Sequence, residues 1–374
     1  MNVLYIAHEE ILAGSGISKK IMSQCKGLSN NGANVFFCHL KTEKDKRSYV
    51  VDDEIIEFLG KGLLATYRFF ANFSPILSYI KEHHISCVYI RYNHVATPFY
   101  LRFLRKMKAL GVIVFMEIPT YPYDAEHAND KFKQKFLNCF ERFSRKFFKN
   151  YVDRIVTVQE YDRILGVPTI KISNGVDIEK VTLRNPQPHT KINFLGIANM
   201  KEWHGYDRLI EGIGLYYKNG GKEDIHFYLV GDYSRVIDTY RSIVNKYELD
   251  NRIHFEGSKQ GRELDAYFDI ADLAIGSLGF HRIGLSEGKP LKCIEYAARG
   301  IPFIYSNINL DFDDKDYVMR VSPDEKPIPV IEILDFLRDK KIEPSHIRES
   351  IDKKVTWNYQ MSLVIKEIEN ILYD

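Results

Sequence analysis

The chain has 374 residues, of which 45% are hydrophobic and 27% charged, and its net charge is +2 at pH 7. This length allows two domains of ordinary size, and the near-neutral balance excludes wholesale nucleic-acid binding or an acidic partner chosen by charge alone. The five dispersed cysteines form no Cys-x-x-Cys pair and no cluster with metal-site spacing, which predicts reduced thiols.

The N-terminal sequence shows none of the features of a secretory signal, and no run reaches the ~20 apolar residues of a membrane-spanning helix. The sequence therefore favours a cytoplasmic protein that touches a membrane at most from its surface.

Short apolar runs alternate with amphipathic helical patterns along the whole chain. Strands are predicted at "NVLYIA", "NVFFCHL", "CVYIRY", "VIVFMEI" and "RIVTVQ", and then at "INFLGIA", "IHFYLVG", "RIHFEG", "LAIGSL" and "IPFIYS". Near-continuous apolar strands separated by helices indicate parallel sheets covered on both faces. Two such series predict an α/β protein with two doubly wound domains, a linker near "GVPTIKISNGVDIEK" and a final helix over 357–373.

The loop after the first strand contains Gly14 and Gly16, which let a ligand or a facing backbone approach closely. Lys19 and Lys20 then fall in the first turn of a predicted helix, where free N–H groups are already positive. Because position 19 is a lysine, this loop is not the Gly-x-Gly-x-x-Gly dinucleotide fingerprint, which disfavours a dehydrogenase. An ordinary tight turn is the alternative interpretation of the two glycines.

The segment 131–150, "KFKQKFLNCFERFSRKFFKN", combines a phenylalanine stripe with many cations. Five phenylalanines follow one another at spacings of 4, 4, 3 and 4, and seven lysines and arginines occupy the remaining faces. The stripe predicts core packing against the first sheet. The basic face is either simply solvated or attracts anionic lipid, at about 1 kcal/mol per well-placed charge.

Two loops of the second half follow predicted strands, where ligands bind in open α/β sheets. In "GIANMKEWHGYDRLI", Lys201 and His204 are candidates for phosphate contacts, unless His204 is a surface or capping residue. In "FEGSKQG", the backbone around Gly257 and Ser258 is a candidate for contact with a base edge, or is only a turn.

The stretch "SEGKPLKCIEYAARGIP" predicts a helix that begins with Pro290 and ends at Gly300. Lys289 and Lys292 lie in or beside its first turn, where a cation costs about 0.3–1 kcal/mol. An anion bound at that end would offset this cost, since helix N-termini are natural phosphate sites. Two solvated lysines that tolerate the cost are the alternative.

Glu287 and Glu295 flank the start of the same helix and are separated by seven residues. Eight helical positions place them roughly 80° apart and about 12 Å along the axis, which is too far for a close acid/base pair. They are placed to reach different parts of one extended ligand, or they are two ordinary surface glutamates.

A Glu, seven residues and a second Glu, within "EGKPLKCIEYAARGIPFI", resemble the donor-site motif of retaining GT-B glycosyltransferases of glycosyltransferase family 4. "ISNGVD", "HGYDRLIEGI" and "ADLAIGSL" resemble other motifs of this family, in the same order. The resemblance implies the GT-B fold, with two Rossmann-like domains facing across a cleft. The acceptor-side domain would comprise residues 1–170, with helix 358–374 crossing back onto it, and residues 171–357 would bind the donor.

The resemblance also implies roles for single residues. Glu287 would lie at the donor sugar and the reaction centre, and Glu295 would bind the ribose hydroxyls. The diphosphate would meet the amides that follow Pro290. The donor-binding set would comprise Gly14, Gly16, Lys201, His204, Ser258, Lys289, Pro290, Leu291, Lys292 and Glu295.

The sequence departs from the family pattern at two places. At the "GIANMKEWHG" loop the family's lysine position is His204, and its arginine position lies near Ala198 or Asn199. The histidine that often follows the strand "VIVFM" is absent, and "EIPTYPYD" there resembles bacterial polysaccharide-assembly members. The acceptor side would comprise Arg91, Tyr92, Glu117, Thr120, Tyr121 and Asp124.

The expected activity is therefore the retaining transfer of a sugar from a nucleoside-diphosphate sugar to a glycan or lipid-linked glycan during surface polysaccharide assembly. No metal and no cofactor are expected, because lysines and the helix end would hold the diphosphate, and the partners would be this donor, the acceptor and an anionic membrane surface. A catalytically silent nucleotide-sugar-binding subunit and a GT-B-type epimerase are the alternatives. The sequence leaves open the base, the sugar, the acceptor and the oligomeric state.

Overall fold

The computed structural model describes residues 1–12, 15–123, 132–233, 235–339, 342–351 and 353–373, without the side chains of 132–137. The chain divides into two compact units. Unit 1 comprises Met1–Gly175 and Thr356–Asp374, and unit 2 comprises Val176–Val355. Within the described ranges, no helix is long and apolar enough to cross a membrane.

The described part of unit 1 contains one nine-stranded sheet in the order β4-β3-β2-β1-β5-β6-β7-β9-β8. Its strands are β1 (Asn2–Glu10), β2 (Asn34–Glu43), β3 (Lys46–Val51), β4 (Glu54–Gly60), β5 (Cys87–Arg91), β6 (Ile113–Glu117), β7 (Arg154–Thr157), β8 (Arg163–Ile164) and β9 (Val167–Lys171). The five strands predicted in this half are confirmed as β1, β2, β5, β6 and β7, and they pair in parallel. Strands β3, β4 and β8, which were not predicted, pair antiparallel at the edges of this sheet.

The described part of unit 2 contains a six-stranded, fully parallel sheet in the order β12-β11-β10-β13-β14-β15. Its strands are β10 (Ile192–Ile197), β11 (Ile225–Val230), β12 (Ile253–Gly257), β13 (Leu273–Ile275), β14 (Phe303–Tyr305) and β15 (Val318–Arg320). The five strands predicted here are confirmed, and β15 was not predicted. The strand order reverses between β10 and β13, and such a switch point is where open α/β sheets bind ligands.

Twelve α-helices surround the two sheets in the described ranges. They are α1 (Gly16–Asn30), α2 (Gly62–Ala71), α3 (Ser74–Glu82), α4 (Pro98–Ala109), α5 (Phe132–Ser144), α6 (Tyr206–Lys218), α7 (Val236–Tyr247), α8 (Gly261–Ile270), α9 (Leu291–Arg299), α10 (Val330–Asp339), α11 (Pro344–Glu349) and α12 (Trp357–Tyr373). The predicted final helix is thus confirmed as α12. In unit 1 it packs against α1.

The helices of unit 1 lie on both faces of its sheet. The chain moves from β1 to β2 in one direction across the sheet, and from β4 through β5 and β6 to β7 in the other. Because such crossovers are right-handed, α1 covers one face and α2 to α5 cover the opposite face. The packing agrees, since α1 contacts α12 whereas α4 contacts α2, α3 and α5.

The described part of the phenylalanine stripe does not pack into the core, which is contrary to expectation, and the side chains of Phe132 and Phe136 lie outside the described ones. The exposed side chains are Phe140, Phe143 and Phe147. The buried side of this segment presents Glu141, Ser144 and Phe148 instead. Glu141 accepts hydrogen bonds from the hydroxyls of Tyr92 and Tyr123 at 2.6 and 2.7 Å. This buried polar anchor turns the phenylalanines outward.

Candidate functional site

Two loops meet at the switch point of the unit 2 sheet, one after β10 and one after β13. The amide of Leu278 donates to the carbonyl of His204 at 2.9 Å, and the amide of Gly279 donates to the carbonyl of Trp203 at 3.1 Å. Gly205 has a φ of 63°, and a Cβ there would lie 2.7 Å from the carbonyl carbon of Leu278. Only glycine therefore permits this close approach of the two loops.

Helix α9 starts directly beyond these loops. Pro290 is its N-cap, with an extended backbone (φ −62°, ψ 136°), and Leu291 is the first helical residue. The prediction that Pro290 is the first helical residue is therefore wrong by one position, whereas the end at Gly300, with a φ of 76°, is confirmed. The amides of Leu291 and Lys292 have no intrahelical acceptor because they belong to the first turn, and no side chain caps them.

Lys292 extends from the first turn of α9 onto Tyr206. Its Nζ donates to the Tyr206 hydroxyl at 3.1 Å and lies 5.4 Å from the centroid of the ring. That hydroxyl in turn donates to the carbonyl of Ile275 at 3.2 Å. Burial lowers the pKa of Lys292 to about 7. An anion bound beside Nζ would stabilise its charged form, since opposite charges within a few ångströms favour ionisation.

His204 is a buried, neutral hydrogen-bond donor on the loop after β10. Its Nδ1 accepts from the backbone amide of Lys201 at 2.9 Å, so the proton of the neutral ring is on Nε2. Burial, and then the charge of Lys292, lower the pKa of His204 well below its usual value. At the position where the family resemblance implied a cation, this loop therefore offers an uncharged donor.

Glu287 lies on the loop that leads into α9, and this loop is held against the segment after β14. The amide of Ile308 donates to Ser286 at 2.8 Å, and that of Gly288 donates to Ile308 at 3.0 Å. In the described residues, the buried Oε1 of Glu287 has no hydrogen-bond partner. A buried carboxylate oxygen without a donor is costly, so this atom is suited to accept from a ligand hydroxyl.

Asn307 supports the Glu287 loop and was not identified from the sequence. Its Nδ2 donates to the carbonyls of Gly288 and Ile308 at 2.7 and 2.9 Å. Its Oδ1 is buried and, within the described ranges, also has no hydrogen-bond partner. The only signal in the sequence was its place just after a predicted strand, at the carboxyl edge of the sheet.

Glu295 lies one turn further along α9 and is partly exposed. One of its carboxylate oxygens is 3.4 Å from Nε of Arg299. Nη1 of the same arginine contacts Oδ1 of Asp265 at 2.8 Å. The guanidinium of Arg299 lies 3.8 Å from the centroid of the Phe268 ring. Arg299 is thereby fixed, and it holds Glu295 loosely enough to leave acceptor capacity on this carboxylate.

Two further predicted donor residues, Lys289 and Ser258, have protein partners. Lys289 lies 3.6 Å from an Asp311 carboxylate oxygen, and both side chains are largely buried. Ser258, near the β12 edge of the sheet, donates to Asp232 at 2.7 Å. The amide of Gly257 donates to the Tyr233 hydroxyl at 2.8 Å, and the contact of this backbone with a base edge stays a prediction.

Two arginines near the loop after β10 were not identified from the sequence. Arg282 contacts Asp207 at 2.7 Å and Glu325 at 2.6 Å, and Arg208 contacts Asp324 at 3.1 Å. Both arginines form ion pairs with carboxylates of the protein. Their role is therefore to stabilise the surrounding loops. Across the described ranges, no group of three His, Cys, Asp or Glu side chains is arranged to hold a metal ion.

In unit 1, the conspicuous polar cluster centres on Glu117, which is fully buried. It binds Nζ of Lys20 at 2.7 Å and Nη1 of Arg91 at 3.4 Å, and it accepts from Gln24 and Tyr89 at 3.0 Å. Burial works against the charge of Glu117, but Lys20 and Arg91 lower its pKa below the usual value. The prediction that Lys20 lies in the first turn of its helix is wrong, because Lys20 is the fifth residue of α1 and its side chain is buried.

Three of the predicted acceptor-side residues lie inside unit 1. Arg91, Tyr92 and Glu117 are buried, and Arg91 also binds Glu9 at 2.8 Å. Their charges and hydroxyls bind partners within the unit, and their place on the acceptor side stays a prediction.

The other unit 1 candidates differ in their exposure. Thr120 and Tyr121 are half-buried, and Gly16 is the exposed first residue of α1, with open space around it. Gly14 and Asp124 lie outside the described residues.

Residues 177–310 match the family model described as "Glycosyl transferases group 1". This range contains the loops after β10 and β13 and the whole of α9. The chain thus carries a glycosyltransferase group 1 domain in unit 2. No curated protein matches the sequence.

Solved structures similar over the full chain include sucrose-phosphate synthase from Thermosynechococcus elongatus (TM-score 0.71, 14% identity, 100% of this chain and 99% of that chain). The Anabaena protein HepE in complex with UDP-glucose has a TM-score of 0.65 at 11% identity, over 98% of this chain and 100% of that chain. A glycosyltransferase from Rickettsia africae has a TM-score of 0.64 at 14% identity, over 100% and 99%. At these identities the likeness shows the fold, which is of the GT-B type with two Rossmann-like domains.

Proposed function

We propose that this protein is a glycosyltransferase that takes a sugar from a nucleoside-diphosphate sugar bound at the start of α9. The observation that carries the proposal is the convergence of three groups there. Within the described residues, Glu287 has a buried oxygen without a donor, Lys292 is a half-buried lysine with a lowered pKa, and the first α9 amides lack intrahelical acceptors. HepE, which shares the fold, binds UDP-glucose.

Each group has a part in the proposed transfer. The α9 amides and Lys292 would stabilise the negative charge that develops on the diphosphate as the glycosidic bond breaks. His204 would donate its Nε2 proton in a hydrogen bond to the same leaving group. Glu287 would accept from a sugar hydroxyl, and Glu295 from the ribose. The acceptor hydroxyl would attack from the face that the diphosphate leaves and would give its proton to that diphosphate, which retains the anomeric configuration.

Metal independence is part of the proposal. Lys292 can supply the positive charge that a divalent ion supplies elsewhere, and a diphosphate beside it would raise the pKa of its amine. We further propose that the acceptor is a glycan or lipid-linked glycan of bacterial polysaccharide assembly, because "EIPTYPYD" resembles members of that group.

A catalytically silent nucleotide-sugar-binding subunit is the second candidate. It is favoured by the neutrality of His204 and by the pairing of Arg208 and Arg282 with carboxylates. These features leave few free cations for the leaving diphosphate. Release of free nucleoside diphosphate, with any acceptor, separates the two candidates.

Thermal unfolding with a panel of UDP, GDP, ADP, CMP and TDP, with and without EDTA, tests the donor site. Ligand at 100 times its dissociation constant adds about 2.7 kcal/mol to the free energy of unfolding, which raises the midpoint by roughly 5–10 °C. We expect one nucleotide to do this regardless of EDTA, and to lose the effect in Lys292→Met but not in the exposed control Lys218→Met. No shift with any nucleotide, or a shift abolished by EDTA, contradicts the proposed site.

A further inference from the structure

The outer side of α5 and of the turn after it is both aromatic and cationic. Phe143 and Phe147 are 58% and 38% exposed, and their rings lie edge to face with centroids 5.5 Å apart. Lys146 and Lys149 are exposed between and beside them. The one carboxylate of this segment, Glu141, points inward and is buried.

The neighbouring helices extend this surface. Helix α4 packs beside both α5 and α2, and these helices cover the same face of the unit 1 sheet. Helix α2 exposes Leu63, at 78%, and Tyr67, and α4 exposes Phe99 at its first turn. We call these exposed residues of α2, α4 and α5, with the exposed cations between them, the outer helical face.

The charge of the outer helical face is strongly one-sided. Between residues 58 and 116 the only acidic residue is Glu82. The same range contains eight lysines and arginines, namely Lys61, Arg68, Lys81, Arg91, Arg102, Arg105, Lys106 and Lys108. Of these, Arg91 is buried, whereas Arg102, Arg105 and Lys106 are exposed along α4. In a protein with a net charge of only +2, this is a local concentration of positive charge.

We propose that the outer helical face lies on the surface of an anionic lipid bilayer. Cations attract acidic headgroups, and exposed aromatic and leucine side chains enter the boundary between headgroups and acyl chains. Each contribution alone is weak, and their combination on one surface gives stable but reversible attachment. This inference does not depend on the donor site, which belongs to unit 2.

A second copy of the chain is a poorer occupant of this face. In a symmetric dimer the same surface occurs on both sides of the interface, so cations would face cations with few carboxylates to match them. Anionic headgroups, in contrast, complement both the charge and the apolar side chains. Exposed apolar clusters of this kind on monomeric proteins mark sites of membrane or protein interaction.

Sedimentation of the full chain with vesicles tests the proposal. The vesicles are made of phosphatidylcholine alone or mixed with phosphatidylglycerol. We expect binding only to the anionic vesicles and a loss of binding at high ionic strength. The variant Lys146→Gln/Lys149→Gln should bind about 25-fold more weakly, at roughly fivefold per cation. Phe143→Ser/Phe147→Ser should bind at least about tenfold more weakly.

The exposed unit 2 pair Lys218→Gln/Lys222→Gln is the matched control, and it should bind the vesicles as the unchanged protein does. Because all four outer positions are exposed, the thermal midpoints of the variants should stay close to that of the unchanged chain. Three results would overturn the proposal: no preference for anionic vesicles, equal loss of binding in the unit 2 control, or a concentration-dependent dimer in solution that the Phe143→Ser/Phe147→Ser variant abolishes.

Discussion

Lys292 makes the affinity for a nucleoside diphosphate depend on pH. In the free protein, burial lowers the pKa of its amine to about 7, so roughly half of the molecules carry the charge at neutral pH. A diphosphate beside Nζ would raise this pKa again. The complex therefore binds more protons than the free protein above pH 7, and the affinity must fall as the pH rises.

The size of the effect follows from the same value. If Lys292 titrates at about 7 in the free protein and stays charged in the complex, Kd rises about eightfold between roughly pH 7.5 and 8.5. This range lies above the last ionisation of a phosphate group, near 6, so the charge of the ligand itself changes little. At about pH 8, binding should take up close to one proton per site.

Calorimetric titration with the nucleotide that stabilises the protein provides the assay. Repeating the titration in two buffers with different ionisation enthalpies gives the number of protons taken up. In Lys292→Met we expect weaker binding, by about 1.5–3 kcal/mol, without proton uptake and with a flat pH profile. Lys218→Met, on an exposed turn of α6, should behave like the unchanged protein. A constant Kd over this pH range, or proton uptake that persists in Lys292→Met, would show that Lys292 does not hold the diphosphate.

Three further predictions concern other contacts. Lys20→Met removes a cation that pairs with the buried carboxylate of Glu117 and should lower the free energy of unfolding by about 3–5 kcal/mol. The unfolding midpoint should then fall by about 10 °C, whereas Lys19→Met, at the exposed neighbouring position, should change it little. Asn307→Ala removes the hydrogen bond to the carbonyl of Gly288 and should lower kcat for sugar transfer, with a smaller change in nucleotide affinity. Kinetics equal to those of the unchanged protein would exclude a role of Asn307 in positioning Glu287. Glu295→Gln should weaken donor binding in calorimetry, because hydroxyls bind a carboxylate more strongly than an amide, and unchanged affinity would contradict the ribose contact.

The strands that hold the sites were predictable because their residues are apolar on both faces. All ten predicted strands are present. The hairpin of β3 (KRSYVV) and β4 (EIIEFLG) was missed because neither strand is a continuous apolar run or alternates between polar and apolar residues. Strand β9 was taken for linker because Pro168 lies within it.

Side-chain orientation was less predictable than backbone structure. The spacing of phenylalanines in α5 indicated a core stripe, but buried hydrogen bonds to Glu141 turned the other face inward. Similarly, Lys20 and Lys292 both fall near helix starts, yet only Lys292 lies at an open end, because Lys20 meets a buried carboxylate from β6. The direction of such side chains depends on partners that are distant in sequence, and no local sequence pattern reveals those partners.

Proton NMR can follow the products formed from nucleoside-diphosphate sugars and an oligosaccharide acceptor, and so tests the proposed sugar transfer itself. We predict release of one nucleoside diphosphate in the presence of EDTA, with the anomeric configuration of the donor kept in the product and turnover lost in Glu287→Gln. Binding without release with any acceptor would favour the silent subunit, and a product with inverted configuration would contradict the proposed transfer.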